Sequence, residues 1–195
     1  MRTTIDILSV LKPIWRGFLA AVILTVLIAQ APAGMAGNLV PWFGIIDGII
    51  SDPDEYGVFH SVATEISNHG GKGTQESDFT IQPELEYRNG DVNGEGAGIY
   101  AIAIGNTTAT TANDDVIENT FVLAERMTDA EGTPLNPPLA CEGIYTVTGG
   151  TGRFADASGE GRLWGYVMED GRVVLFFDGT ISTPGSNRQK SGGPK

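Results

Sequence analysis

The sequence predicts an all-β protein, an antiparallel up-and-down β-barrel of about eight strands. From Val58 onward, one short segment after another alternates between two faces, which is the period of a β-strand. The 27 glycines suit a chain with many turns, and strands do not alternate with long helices, which excludes α/β folds. Closure into a barrel is favoured over a sandwich because it removes exposed strand edges.

Residues 1–36 have the layout of a secretory signal peptide. Arg2, Lys12 and Arg16 precede or flank an apolar run from Phe18 to Ile28, and small residues follow up to Ala36. This order favours cleavage after Ala36 and a secreted or periplasmic protein. The alternative is a leader that is not cleaved, which would be the only part of the protein that we expect to contact a membrane. The apolar run is, however, shorter than the roughly 20 residues that span a bilayer.

Charge and cysteine content narrow the class of protein. The formal net charge is −12, so the surface should repel nucleic acid and anionic membranes. Cys141 is the single cysteine, which rules out an intrachain disulfide and predicts a small buried side chain. Zinc-ligand spacings, phosphate loops and nucleophile elbows do not occur in the sequence, so we expect no metal and no cofactor.

The segment 37–57 is predicted as an N-terminal arm or a short helix, because its apolar residues recur at helical spacing up to Asp52. Either this segment or a division of 79–88 could supply an eighth strand. The barrel domain is assigned to residues 58–183, and the polar tail 184–195 is expected to be disordered. The predicted strands are Val58–Ile66, Phe79–Tyr87, Gly98–Ile104, Val116–Met127 and three more between Cys141 and Ser182.

Two polar connections have more than one interpretation. Residues 107–115 are predicted as a polar loop. Asn89, Asp91 and Asn93 precede Gly94 as in the start of a calcium loop, but Tyr100 stands where such loops need a bidentate Glu. A hairpin turn is therefore favoured over a calcium site.

A glycine-rich turn organises the last three strands. Gly149, Gly150 and Gly152 come just before Phe154, and three glycines in four residues indicate a positive φ or a close approach of two chains. We assign these four residues to a structural turn. Arg153 is expected to pair with a nearby acid such as Asp156.

The segment GIYTVTGGTGRF, from Gly143 to Phe154, resembles the signature shared by plant dirigent proteins and allene oxide cyclases. The resemblance implies an eight-stranded barrel of the calycin type, often a homotrimer, with an apolar central cavity for a small apolar or phenolic molecule. Glu65-Ile66-Ser67-Asn68 is similar to a run in the first strand of the cyclases, which implies that Glu65 is an acidic cavity residue. Ser67 replaces the asparagine of that run, and Tyr100 replaces a cysteine of the third strand.

Glu65 is the candidate catalytic residue. A strand sends alternate side chains to the same face, so Glu65 shares its direction with Phe59, Ser61 and Ala63. If that face lines the cavity, the carboxyl group would act as a general acid or base; if it faces outward, Glu65 is a solvated surface charge. The aromatic residues expected to contact a ligand are Phe59, Tyr100, Phe121 and Phe177. The sequence thus leaves two functions open, a binding barrel without catalysis and an enzyme that steers cyclisation or coupling.

Overall fold

The computed structural model describes residues 39–89 and 98–182, with side chains described for 39–82 and 98–182. These residues form a closed barrel in which each strand pairs antiparallel with the next and the last pairs with the first, which confirms the predicted fold class. The strands are β1 (Leu39–Ile50), β2 (Val58–Ser67), β3 (Gly71–Asn89), β4 (Gly98–Thr110), β5 (Val116–Arg126), β6 (Leu139–Gly150), β7 (Gly159–Val167) and β8 (Arg172–Ser182).

The first strand corrects the prediction of a short helix or arm within 37–57. Leu39–Ile50 lies between β2 and β8 and supplies the eighth strand, the alternative that the sequence left open. Its inward face places small residues between large ones, because a Cβ at Gly44 would lie 2.6 Å from the Phe177 ring and one at Gly48 would collide with the Ala63 Cβ. The apolar residues of this segment fit both helical and strand periods, and pairing on both edges decides for the strand.

Two strands are longer than predicted. β3 begins at Gly71 rather than Phe79, and β4 continues to Thr110 through part of the segment predicted as a polar loop. The prediction missed these extensions because they turn polar side chains inward. Ser77 and Thr107 are both buried, and their hydroxyl oxygens lie 3.0 Å apart. An inward polar residue breaks the apolar–polar alternation on which the prediction depended. Most of the turn predicted at Asn89–Gly94 lies outside the described residues, as do the predicted leader and tail.

One end of the barrel is filled by side chains. The connection from β6 to β7 forms a short 3-10 helix, Gly152–Phe154, and Phe154 has no exposed surface. Ile117 and Ile181 are fully buried as well. The predicted glycine turn is therefore a plug that closes this end, and Arg153 at its surface pairs with Asp115 rather than with Asp156.

The outer surface combines ion pairs with an apolar row. Arg172 of β8 donates two hydrogen bonds to Asp47 of β1, at 2.9 and 2.7 Å, across the seam where the barrel closes. Beside this pair, cross-strand neighbours on four strands form the outer apolar row, defined as Ile66, Ile45, Phe176 and Trp164. Within the described residues, we find no helix with the length and hydropathy to cross a membrane.

Candidate ligand-binding cavity

The half of the barrel away from the Phe154 plug encloses a cavity of about 90 Å³. That volume is large enough for several water molecules or a small organic group. Ile81 lines the cavity and is 36% exposed, so the cavity meets solvent at the end where β3 leaves the described side chains. Inward residues of all eight strands contribute, because alternation along each strand sends every second side chain into the lumen.

Two aromatic groups form much of the wall. Trp42, Tyr145 and Phe177 meet edge to face, with ring centroids between 5.0 and 6.0 Å apart. Phe79 stacks on Phe59 at 5.3 Å and lies 6.1 Å from Phe121. Such rings give a ligand a large apolar surface with fixed geometry.

A polar group of side chains lies on β3, β4 and β5, on the plug side of Phe79 and Phe121. Gln75 donates to the Ser77 hydroxyl at 3.4 Å, and Ser77 is bonded to Thr107. Asn119 is the cross-strand neighbour of Thr107 and is 9% exposed. The cavity is therefore apolar along most of its wall and polar at its deep end.

Glu65 belongs to this deep end and faces the lumen. Its side chain lines the cavity and is only 5% exposed. Burial raises the pKa of the Glu65 carboxyl to about 7, against the opposing effect of a hydrogen bond from Ser67. The inward alternative of the sequence prediction is thus correct, and Glu65 can carry or release a proton near neutral pH.

A second carboxyl group, Glu125, lines the cavity nearer its open end. Burial raises its pKa as well. Its cross-strand neighbour is Cys141, which is 5% exposed; burial, followed by the charge of Glu125, raises the pKa of that thiol to about 12. Cys141 is therefore the small buried residue that was predicted, with no tendency to form a thiolate.

Three buried polar atoms of the cavity wall have no hydrogen-bond partner among the described residues. They are Trp42 Nε1, Asn119 Oδ1 and Tyr145 Oη. Each belongs to a residue that is at least nine-tenths buried. Because a buried polar atom without a partner costs free energy, a hydrogen-bonding group within reach of these atoms would stabilise the protein.

The structure brings together only some of the predicted site residues. Glu65, Phe121 and Phe177 line the cavity, and Phe59 supports it through Phe79. Tyr100 does not line the cavity. It lies on the same face of β4 as Ile104, which is 40% exposed, so this face is the outer one.

The residues that the sequence did not single out are Trp42, Asn119, Glu125 and Tyr145. The signal was present on β5, because Asn119 and Glu125 lie two and four residues from Phe121 and so share its face. Trp42 was missed because its segment was interpreted as a helix or an arm. Tyr145 was placed in a strand but without a role.

Among residues 39–89 and 98–182 we find no group of three or more His, Cys, Asp or Glu that could hold a metal ion. No family model, curated protein or solved structure matches the chain.

Proposed function

We propose that this barrel binds a small, mainly apolar molecule that carries one polar group. The observation behind this proposal is the set of buried, unpartnered polar atoms on Trp42, Asn119 and Tyr145 within an otherwise apolar cavity. Ligand sites in proteins commonly have this composition, with an apolar wall for the body of the ligand and a few polar atoms that orient it.

A phenol is one class of molecule that suits such a cavity. Its ring would pack against Phe79 and Phe121, and its hydroxyl group would donate to Asn119 Oδ1 or accept from Trp42 Nε1. Binding of phenolic or apolar molecules by an exported, trimeric barrel is also what the resemblance of Gly143–Phe154 to the dirigent and allene oxide cyclase family suggests. Family, export and trimer remain part of this proposal.

Catalysis by Glu65 is the second candidate function. A carboxyl group with a pKa of about 7 that lines a cavity can take a proton from a bound molecule and return it at neutral pH. This favours an acid–base reaction, such as a cyclisation, over one that needs a nucleophile.

A titration with benzyl alcohol, followed by calorimetry, tests the proposed binding. Ala103 lines the cavity, so Ala103→Phe should fill part of it and weaken binding at least about ten-fold. Ala140 is exposed on β6, and Ala140→Phe is the matched control that should leave the affinity unchanged. Equal affinities in the two variants would show that the probe binds elsewhere.

A further inference from the structure

The charges that face the cavity have one sign. Its charged lining residues are Glu65 and Glu125, and none of the described lining residues is Lys, Arg or His. Buried carboxylates in proteins are normally paired with a cation, because an isolated charge is poorly solvated away from water. The ion pairs of the described residues, such as Arg172 with Asp47, lie on the outer surface and do not reach these two groups.

Buried polar atoms of the cavity wall also lack hydrogen-bond partners. Among the described residues, three buried polar atoms have no partner: Asn119 Oδ1, which accepts, Trp42 Nε1, which donates, and Tyr145 Oη, which can do either. Burial raises the pKa of the Tyr145 hydroxyl group, and the charges of Asp178 and then Glu65 raise it further. Tyr145 therefore lies within electrostatic range of Glu65. An alkylammonium group has three N–H donors and no acceptor, which complements the Glu65 carboxylate and the acceptor oxygens of Asn119 and Tyr145 in the same cavity.

The aromatic wall favours the same charge. The faces and edges of Trp42, Tyr145 and Phe177 form one group whose ring centroids are 5.0 to 6.0 Å apart. A cation over such rings is stabilised by their negative faces, most strongly where water is excluded. The net charge of −12 would add to this by raising the local concentration of cations near the protein.

From these three observations we infer that the ligand is an organic amine, whose ammonium group pairs with Glu65 and whose apolar body lies along Phe79 and Phe121. The inference rests on the proposed binding function and names the chemical class of its ligand. Glu125, nearer the open end, would favour entry of a cation over an anion.

Three probes with the same ring and different charges test this inference. Benzylamine, benzyl alcohol and benzoate are positive, neutral and negative at pH 8, and each is titrated calorimetrically into the full-length protein. We expect benzylamine to bind at least ten-fold more tightly than benzyl alcohol, and benzoate to bind most weakly. In Glu65→Gln the affinities for benzylamine and benzyl alcohol should differ by less than about two-fold. Glu142 is exposed on β6, so Glu142→Gln should keep the full preference for benzylamine.

The outcomes separate the two proposals. If benzyl alcohol binds as tightly as benzylamine, or more tightly, the cavity binds ligands but the inferred positive charge is wrong. If none of the probes binds, the binding function fails and the inference fails with it. The ranking of the probes on the wild-type protein decides these cases without any variant, so a Glu65→Gln protein that folds poorly would not remove the test.

Discussion

Ser67 lies two residues after Glu65 on the same inward face of β2, where its hydroxyl group acts to lower the pKa of the Glu65 carboxyl group. Ser67 in turn accepts a bond from the backbone N–H of Gly70 at 3.1 Å, which fixes it at the turn into β3. The Ser67 hydroxyl group stabilises the charged form of Glu65, but burial disfavours that form more strongly. The pKa of Glu65 is therefore raised to about 7. Glu65 therefore keeps a raised pKa in spite of its polar neighbour Ser67.

The first prediction concerns stability against pH. The pKa of Glu65 in the folded state, about 7, lies above its ordinary 4.5, so the folded protein holds this proton more tightly than the unfolded chain does. Its stabilising contribution is complete below about pH 4.5 and is lost as the pH rises through 7. Relative to wild type, Glu65→Gln should therefore gain about 2 to 3 kcal/mol in free energy of unfolding between pH 5 and pH 8.

Urea unfolding at both pH values measures this gain. Glu142→Gln, which removes an exposed carboxyl group of β6, is the control and should follow the wild type at both pH values. Parallel stability curves for wild type and Glu65→Gln would contradict the raised pKa.

The second prediction concerns the glycine turn. Gly152 has φ of 59°, and a side chain there would also collide with the Asp115 carboxylate that pairs with Arg153. Gly132 has φ of 86°, but a Cβ added there would meet no atom within 4 Å, so Gly132→Ala measures the backbone strain alone. We expect Gly152→Ala to cost about 1 to 3 kcal/mol and clearly more than Gly132→Ala.

A substitution at Gly150 tests the close packing of the same turn, because a Cβ at this position would collide with the Val116 carbonyl oxygen. Gly150→Val should therefore also destabilise the protein by about 1 to 3 kcal/mol in chemical unfolding. Melting curves of the Gly150 and Gly152 variants that match Gly132→Ala would show that neither close contact matters.

The third prediction concerns the plug. Phe154 is fully buried, so Phe154→Ala should lower the free energy of unfolding by about 3 to 5 kcal/mol through lost burial and a new void. Phe43 on the outer surface is 56% exposed, and Phe43→Ala should cost less than about 1 kcal/mol. Urea titrations of both variants give the comparison, and similar losses would mean that Phe154 does not close the barrel.

The fourth prediction concerns the thiol. Burial raises the pKa of Cys141 to about 12, so little thiolate is present at pH 8 and its sulfur is shielded. Iodoacetamide should label native protein far more slowly than protein unfolded in urea, by at least about a hundred-fold. Mass spectrometry follows the labelling, and rapid modification of the native protein would show that this end of the barrel opens.

Much of the fold could be predicted from the sequence, and the reasons for the errors are specific. Cys141–Ser182 has strict alternation and glycine punctuation, and all three of its strands were found. β1 was missed because Ile45, Ile46, Ile49 and Ile50 recur at helical spacing. In the strand they lie on both faces, with Ile46 and Ile50 lining the cavity, and only pairing with β2 and β8 reveals the strand.

The candidate site was less predictable than the fold. Alternation shows that Glu65 and Ala63 share a face, but it does not say whether that face is inside. The outward face carries Val62 and Ile66, which are 62% and 50% exposed, so hydrophobicity alone would have placed the wrong face in the core. The direction follows from closure of the barrel, in which Gly48 leaves room for Ala63.

Intermolecular nuclear Overhauser effects from bound benzylamine test the central claim, a ligand site inside the barrel, most directly. Contacts of the probe's ring protons with Ala103, Phe121 and Phe177, all of which line the cavity, are the predicted result. Contacts confined to the outer apolar row, at Ile45, Ile66, Phe176 and Trp164, would place the ligand on the outside of the barrel and contradict the account.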